Sequence, residues 1–136
     1  MNVNAKAVAH ECSALSDEGS ASFAEIVGRL GAAQVERYHA DLTRAEKTYY
    51  WPDGASEQVP NAPIAEAPAA RFSPESMKAA VRAAQAGTVR YKEFCALAAA
   101  SGCVGYDVFI AGKRVVYYGR TGDSHVEWFP GAQPSP

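Results

Sequence analysis

Arg37-Tyr-His-Ala-Asp-Leu-Thr-Arg-Ala-Glu-Lys-Thr-Tyr-Tyr50 is answered 68 residues later by Gly105-Tyr-Asp-Val-Phe-Ile-Ala-Gly-Lys-Arg-Val-Val-Tyr-Tyr118. Sixty-eight is half of the 136 residues, and the same shift works outward without a gap. Gly19 falls on Gly87, Glu25 on Glu93, Ala32 on Ala100, Gly54 on Gly122 and Ser56 on Ser124. With the three tyrosines of the two stretches, that makes eight identities between residues 19 and 59. Composition alone would give about two or three. Both stretches alternate: Tyr38, Ala40 and Leu42 point one way, as do Tyr106, Val108 and Ile110, with His39 and Asp41 on the other side. Alternation of this kind marks a half-buried strand. Because 68 is even, each strand residue keeps the face of its counterpart.

The remaining elements follow from local signals. A weakly amphipathic segment occupies about 4–16. Ser22 then caps a second helix, with Glu25 at capping-box spacing and Phe23, Ile26, Val27 and Leu30 on one stripe. Lys47 to Trp51 is a second strand, Pro52-Asp-Gly54 a turn, and about 55–59 a short third strand. Residues 60–72, with three prolines and several alanines, predict a connector that skirts the surface. Ser73-Pro74-Glu75 opens another helix with Met77, Ala80, Val81 and Ala84 on its buried face. A helix over about 90–101 carries Tyr91, Phe94, Cys95 and Ala98. Three strands complete the chain: one from Tyr106 to Ile110, turned by a tight Ala111-Gly112 hairpin, one over Arg114–Gly119, and one over Ser124–Phe129. The expectation is one α+β domain over 1–136. Repeat one spans about 4–59 and repeat two about 73–130, with a frayed tail at 131–136. Two helix-helix-β-meander units, internally duplicated, form an antiparallel sheet with helices packed on one face around a pseudo-twofold axis.

Composition narrows the function. Apolar residues make up 48% and charged residues 21%, as in ordinary globular chains. A net charge of −2 argues against nucleic acid as the partner. No apolar run reaches the roughly 20 residues of a membrane helix, and Met1 to His10 lacks a secretion signature. Cys12, Cys95 and Cys103 form no CxxC pair and leave one over in any disulfide scheme, which points to a reducing, cytoplasmic setting and to buried apolar thiols. No motif implies a cofactor.

The second half carries Tyr91-Lys-Glu-Phe94, Ala100-Ser-Gly-Cys103, Val115-Val-Tyr-Tyr-Gly-Arg-Thr-Gly122 and His125-Val-Glu127; the first carries Arg37-Tyr-His-Ala-Asp-Leu42 and Lys47-Thr-Tyr-Tyr50. This run resembles the YdfO-like family of small uncharacterised bacterial and prophage proteins, sometimes labelled "phage envelope protein". The resemblance covers roughly 20–59 and 74–130. It implies a fold and no catalytic role; the label implies a virion part.

Two arrangements of side chains remain as candidates. His125-x-Glu127 places an imidazole and a carboxylate on one face of the last strand, and His39-x-Asp41 does so on the first. Converging, the four would bind a metal or act as base and orienting carboxylate; as ordinary solvated strand faces, they do neither. Counterparts differ here, His39 matching Asp107 and His125 matching Glu57, which counts against a shared site. Gly119-Arg-Thr-Gly-Asp-Ser124 lacks the P-loop pattern and reads as a turn. The tyrosine pairs are more specific: adjacent strand residues point to opposite sides, so one of each pair packs inward and the other lies open. Tyr50, Trp51, Tyr118 and Trp128, with Arg114 or Arg120 nearby, then either form a surface for a flat ligand, a peptide, a protein partner or single-stranded nucleic acid, or serve only core and cross-strand packing. The sequence thus favours a small binding or regulatory module whose partner, another protein or a second copy, docks on a sheet face or edge. The alternatives are a small-molecule enzyme using His39, Asp41, His125 and Glu127, and a phage structural part.

Overall fold

A computed structural model describes residues 3–132. Local rules set the helix starts. The Ser22 hydroxyl accepts from the Glu25 amide at the head of α2 (Phe23–Ala32), and Ser73 accepts from the Ser76 amide at the head of α3 (Pro74–Gln85), whose first residue is the proline. The first helix, α1 (Val3–Glu18), runs further at its end than its weak periodicity suggests, and α4 is Tyr91–Ala100. Six strands follow the helix pairs: β1 (Arg37–Asp41), β2 (Glu46–Tyr50), β3 (Ser56–Pro60), β4 (Cys103–Phe109), β5 (Arg114–Gly119) and β6 (Ser124–Trp128). The chain is therefore α+β, with element order α-α-β-β-β occurring twice.

All six strands join one antiparallel sheet in the order β3-β2-β1-β4-β5-β6. β1 and β4 meet at its centre, with His39 opposite Asp107, Tyr38 opposite Val108 and Ala40 opposite Tyr106. Only at the His39–Asp107 pair do residues 68 apart face each other. A twofold relation between the halves therefore passes through that pair. The two hairpins agree with it. Each turns through four residues, 42–45 and 110–113, and Ala45 and Lys113 take left-handed φ of 56° and 55°. The second hairpin is thus wider than the tight Ala111-Gly112 turn its glycine suggested, because pairing already stops at Phe109–Arg114.

Helices cover one face. Beneath them lie Tyr38, Ala40, Leu42, Tyr49, Val59, Tyr106, Val108, Val115 and Tyr117, packed against Ile26, Leu30, Met77, Val81, Phe94 and Ala98. Tyr38 meets Tyr49 with ring centroids 5.0 Å apart, and the counterparts Tyr106 and Tyr117 meet at 5.4 Å. Burying each such ring stabilises by about 2–3 kcal/mol relative to leaving it in water. All three cysteines are buried and unpaired. The connector does more than skirt the surface. Asn61, Ala62 and Pro68 are buried, and the amides of Ala69 and Ser73 bond the carbonyls of Ala99 and Ser101. Those carbonyls lie at the end of α4, where a helix leaves acceptors unfilled, so the connector docks there. It passes so close that a Cβ on Gly102 would stand 2.1 Å from the Arg71 carbonyl oxygen, and one on Gly119 2.7 Å from Phe72 Cβ. The expected fraying of the tail from 131 falls mostly on residues 133–136, outside the described part.

Candidate functional site

Among the described residues no helix covers the sheet's second face. Strand register orders its side chains into rows. At one end the row reads Tyr50, Arg37, Phe109, Arg114, Trp128 across five strands, each directly opposite the next. The Arg37 guanidinium lies 3.9 Å from the Tyr50 ring centroid and the Arg114 guanidinium 4.8 Å from that of Trp128. Each arginine is thus held over an aromatic ring, an attraction worth about 0.5–1 kcal/mol at exposed sites. The middle row is Thr48, His39, Asp107, Val116, Val126. At the far end come Glu46, Asp41, Gly105, Tyr118 and Ser124.

The centre of this face holds a three-membered chain. His39 Nδ1 lies 3.0 Å from Asp107 Oδ1, and its Nε2 lies 3.3 Å from the Tyr118 hydroxyl. With Nδ1–H donating to Asp107, Nε2 is left to accept from Tyr118. The Asp107 bond raises the His39 pKa above its ordinary value, with partial burial opposing. Burial pushes the Tyr118 hydroxyl up to about 12, helped by the Asp107 and Asp41 charges. The arrangement orients an imidazole but sits on an open surface. A cleft of about 930 Å³ opens beside α1 and α2 and is lined by none of the three.

The four proposed catalytic residues do not converge. His39 and Asp41 lie on the open face, whereas His125 and Glu127 face the helices. Their cross-strand partners, Tyr117 and Val115, are buried. The outward reading of β6 fails because alternation fixes only that neighbours oppose one another, and the facing is set by pairing with β5. His39 takes Asp107 as its carboxylate, not Asp41, whose Oδ1 accepts from the Arg44 amide and closes the β1–β2 turn. His125 Nε2 sits 2.5 Å from Glu127, which also receives Arg82 of α3 at 2.7 Å. Burial pushes the Glu127 carboxyl up, but the bonds from Arg82 and His125 outweigh it and leave the pKa below the ordinary range. This cluster fastens α3 to the edge strand.

Of the proposed surface residues, Tyr50, Tyr118 and Trp128 are on the open face, and two are not. Trp51 is buried, donating its indole N–H to the Ala33 carbonyl at 2.9 Å. Two residues after Tyr49, it shares the buried side of that tyrosine. Arg120 lies just beyond β5 and donates to the Pro68 carbonyl, so it holds the connector. Arg37, Phe109, Arg114 and Asp107 complete the site instead. His39 and Asp107, 68 residues apart, meet because the β1–β4 register sets them directly opposite each other.

One feature of the covered face had no sequence signal. Lys47 is 2% exposed. Its ammonium donates to Ser13 Oγ (3.1 Å) and Asp17 Oδ1 (3.4 Å) and lies 4.7 Å from the Tyr91 ring centroid. Tyr91 donates to Asn61 at 2.7 Å and stands 2.6 Å from the Tyr106 hydroxyl. Burial lowers the Lys47 pKa, with Asp17 opposing. Among the described residues no buried side-chain nitrogen or oxygen lacks a partner.

These features define a class: an α+β protein with a six-stranded antiparallel sheet, helices on one side, and an arginine–aromatic row on the uncovered side. Residues 61–126, the connector through the middle of β6, match the model of a family described as "Protein of unknown function (DUF1398)". No curated protein matches the chain. Among the described residues no helix is long and apolar enough to cross a membrane. No activity is established for the protein.

Proposed function

We propose that the chain is a protein-binding module, one domain built by duplication of a helix-helix-meander unit, whose protein partner docks on the open sheet face. The observation that carries this is the row Tyr50–Arg37–Phe109–Arg114–Trp128, continuous across five strands. Aromatic residues and arginine are the types that anchor protein interfaces. Asp41, Glu46 and Asp107 share the face with the two arginines, so its charge balance disfavours a phosphate backbone. The YdfO-like resemblance supports a bacterial or prophage origin, and three cysteines without a disulfide support the cytoplasm. Regulation would act by occupying the partner.

Affinity capture from the native host tests this with three proteins: the wild type, Arg114→Ala/Trp128→Ala on the row, and Leu97→Ala on the helix layer. The row variant is expected to lose the partner that the wild type and Leu97→Ala retain. Retention by the row variant, with loss in Leu97→Ala, would move the surface to the helices.

A further inference from the structure

We infer that the cleft beside α1 and α2 is a groove for an extended, proline-containing peptide segment of another protein. None of the open-face row lines it, so this is a second binding site beyond the sheet face. The second half of the chain fills the equivalent groove with its own connector. The ends of α2 and α4 match position by position at a spacing of 68. Gln34 and Gly102, just past these ends, both take left-handed φ, 68° and 90°. The Gln34 amide bonds the Gly31 carbonyl at 2.9 Å, and the Gly102 amide bonds the Ala99 carbonyl at 3.0 Å.

Across the end of α4 runs the connector, which over 61–73 is neither helix nor strand and carries Ala65-Glu-Ala-Pro-Ala-Ala70. Its Ala69 amide gives the Ala99 carbonyl a second bond, and its Ser73 amide bonds the Ser101 carbonyl. Arg120 donates to the Pro68 carbonyl. Arg71 and Phe72 lie against Gly102, and Phe72 against Gly119. Sixty-eight residues before Ser101, Gly102, Gly119 and Arg120 stand Ala33, Gln34, Trp51 and Pro52. All four line the cleft of about 930 Å³. The first half does part of the connector's work with a side chain. The Trp51 indole N–H caps the Ala33 carbonyl, the acceptor that Ser73 serves in the other half. Where Ala99 also takes the Ala69 amide, Gly31 takes no second donor among the described residues. A peptide laid along the connector's path supplies that donor.

The walls suit such a segment. Ala5, Val8 and Ala32 leave room for small apolar side chains, and Trp51 and Pro52 offer edges against which a proline ring packs. Asn4 and Gln34, both exposed, bring side-chain amides to the cleft. Each amide can donate to a peptide carbonyl and accept from a peptide N–H. Grooves lined by aromatic residues take proline-containing peptides as a preformed polyproline II helix, which loses little entropy on binding.

Two-dimensional NMR on the full chain tests this with a synthetic peptide, Ile64-Ala-Glu-Ala-Pro-Ala-Ala-Arg71, blocked at both ends to remove its terminal charges. The chain holds two tryptophans, so the indole N–H signals of Trp51 and Trp128 report the cleft and the open face separately. The Trp51 indole and the Gln34 amide are expected to shift saturably, with Trp128 unmoved. Ala32→Tyr, at the exposed end of α2, should fill the cleft and weaken binding at least about tenfold. If circular dichroism shows that it disturbs the fold, Gln34→Gly, which suits the left-handed φ and removes one amide, must weaken binding in its place. The inference is overturned by the absence of a saturable Trp51 shift up to about 5 mM peptide, by an equal response to a glycine–serine peptide of the same length, by binding that Ala32→Tyr leaves unchanged, or by shifts at Trp128 without Trp51. Shifts confined to Gly102 and Arg120 would also overturn it, since they would mark displacement of the chain's own connector.

Discussion

Lys47 and Val115 occupy counterpart positions on β2 and β5, 68 residues apart, and their surroundings differ throughout. Around Lys47 stand Ser13, Asp17, Asn61, Tyr91 and Cys95. The positions corresponding to these are Val81, Gln85, Phe129, Phe23 and Val27. Where Tyr91 donates to Asn61, Phe23 meets Phe129 edge-on at 5.4 Å. One flank of the sheet thus closes with a hydrogen-bonded ammonium and the other with apolar contacts, on the same backbone. The open face repeats the lesson: Arg114 has Glu46 as its counterpart, and Arg37 has Gly105. The fold tolerates both because packing needs volume and satisfied partners and does not need one particular chemistry. The two halves are therefore free to differ in the chemistry they carry.

The position of Trp51 sharpens this contrast most strongly. Trp51 is core on the helix side, and its counterpart is Gly119, over which Phe72 folds. Trp51→Ala is expected to lower stability by about 3–5 kcal/mol, read from the denaturant midpoint. A loss below about 1 kcal/mol would contradict its placement.

Next in size are changes at the buried ammonium. Asp17→Asn takes away a charged partner that is itself partly exposed, so a loss of about 1–2 kcal/mol is expected. Lys47→Met, which makes the flank resemble its counterpart, removes a buried charge and leaves Asp17 where water still reaches it, so it should stay within about 1 kcal/mol of wild type at neutral pH. The pH dependence distinguishes them further. Because the folded pKa of Lys47 lies below its unfolded value, the folded state sheds its proton first. The cost of the buried charge is full at lower pH and is relieved as pH rises from the folded pKa toward about 10.5. Cys95 and Cys103, pushed by burial up to about 11, act oppositely: their unfolded thiols ionise first and stability falls above about 9. The difference between wild type and Lys47→Met isolates the lysine, and urea titrations across that range should show it moving in favour of the wild type.

The smallest stability effect belongs to the open face. Arg114→Ala should change stability by only about 0.5 kcal/mol while reducing partner retention. A large loss of stability would make the arginine–tryptophan stack a structural element and not a contact surface.

Much of the fold was legible because alternation and capping are local. Tyr38-x-Ala40-x-Leu42, Ser22 with Glu25, and Ser73-Pro74 each specify their element without help from distant residues, and the structure keeps all three. The site was less legible. His39 and Asp107 meet through the β1–β4 register, a long-range fact, and the facing of His125 and Glu127 depends on β5. Trp51 is the instructive case. Period-two alternation puts it on the same side as Tyr49, which turns out to be the buried one, whereas its aromatic character suggests a binding surface. Lys47 sits at an inward strand position, where a polar residue counts as an exception until its partners on α1 are known.

Photocrosslinking in the native host tests the central claim most directly. A photoreactive amino acid is placed at Val126 on the open face or at Leu97 on the helix layer, positions of nearly equal exposure at 41% and 42%. An adduct with another protein chain from Val126, and none from Leu97, is the expected result. Adducts from Leu97 with none from Val126 would contradict the assignment of the open sheet face as the binding surface.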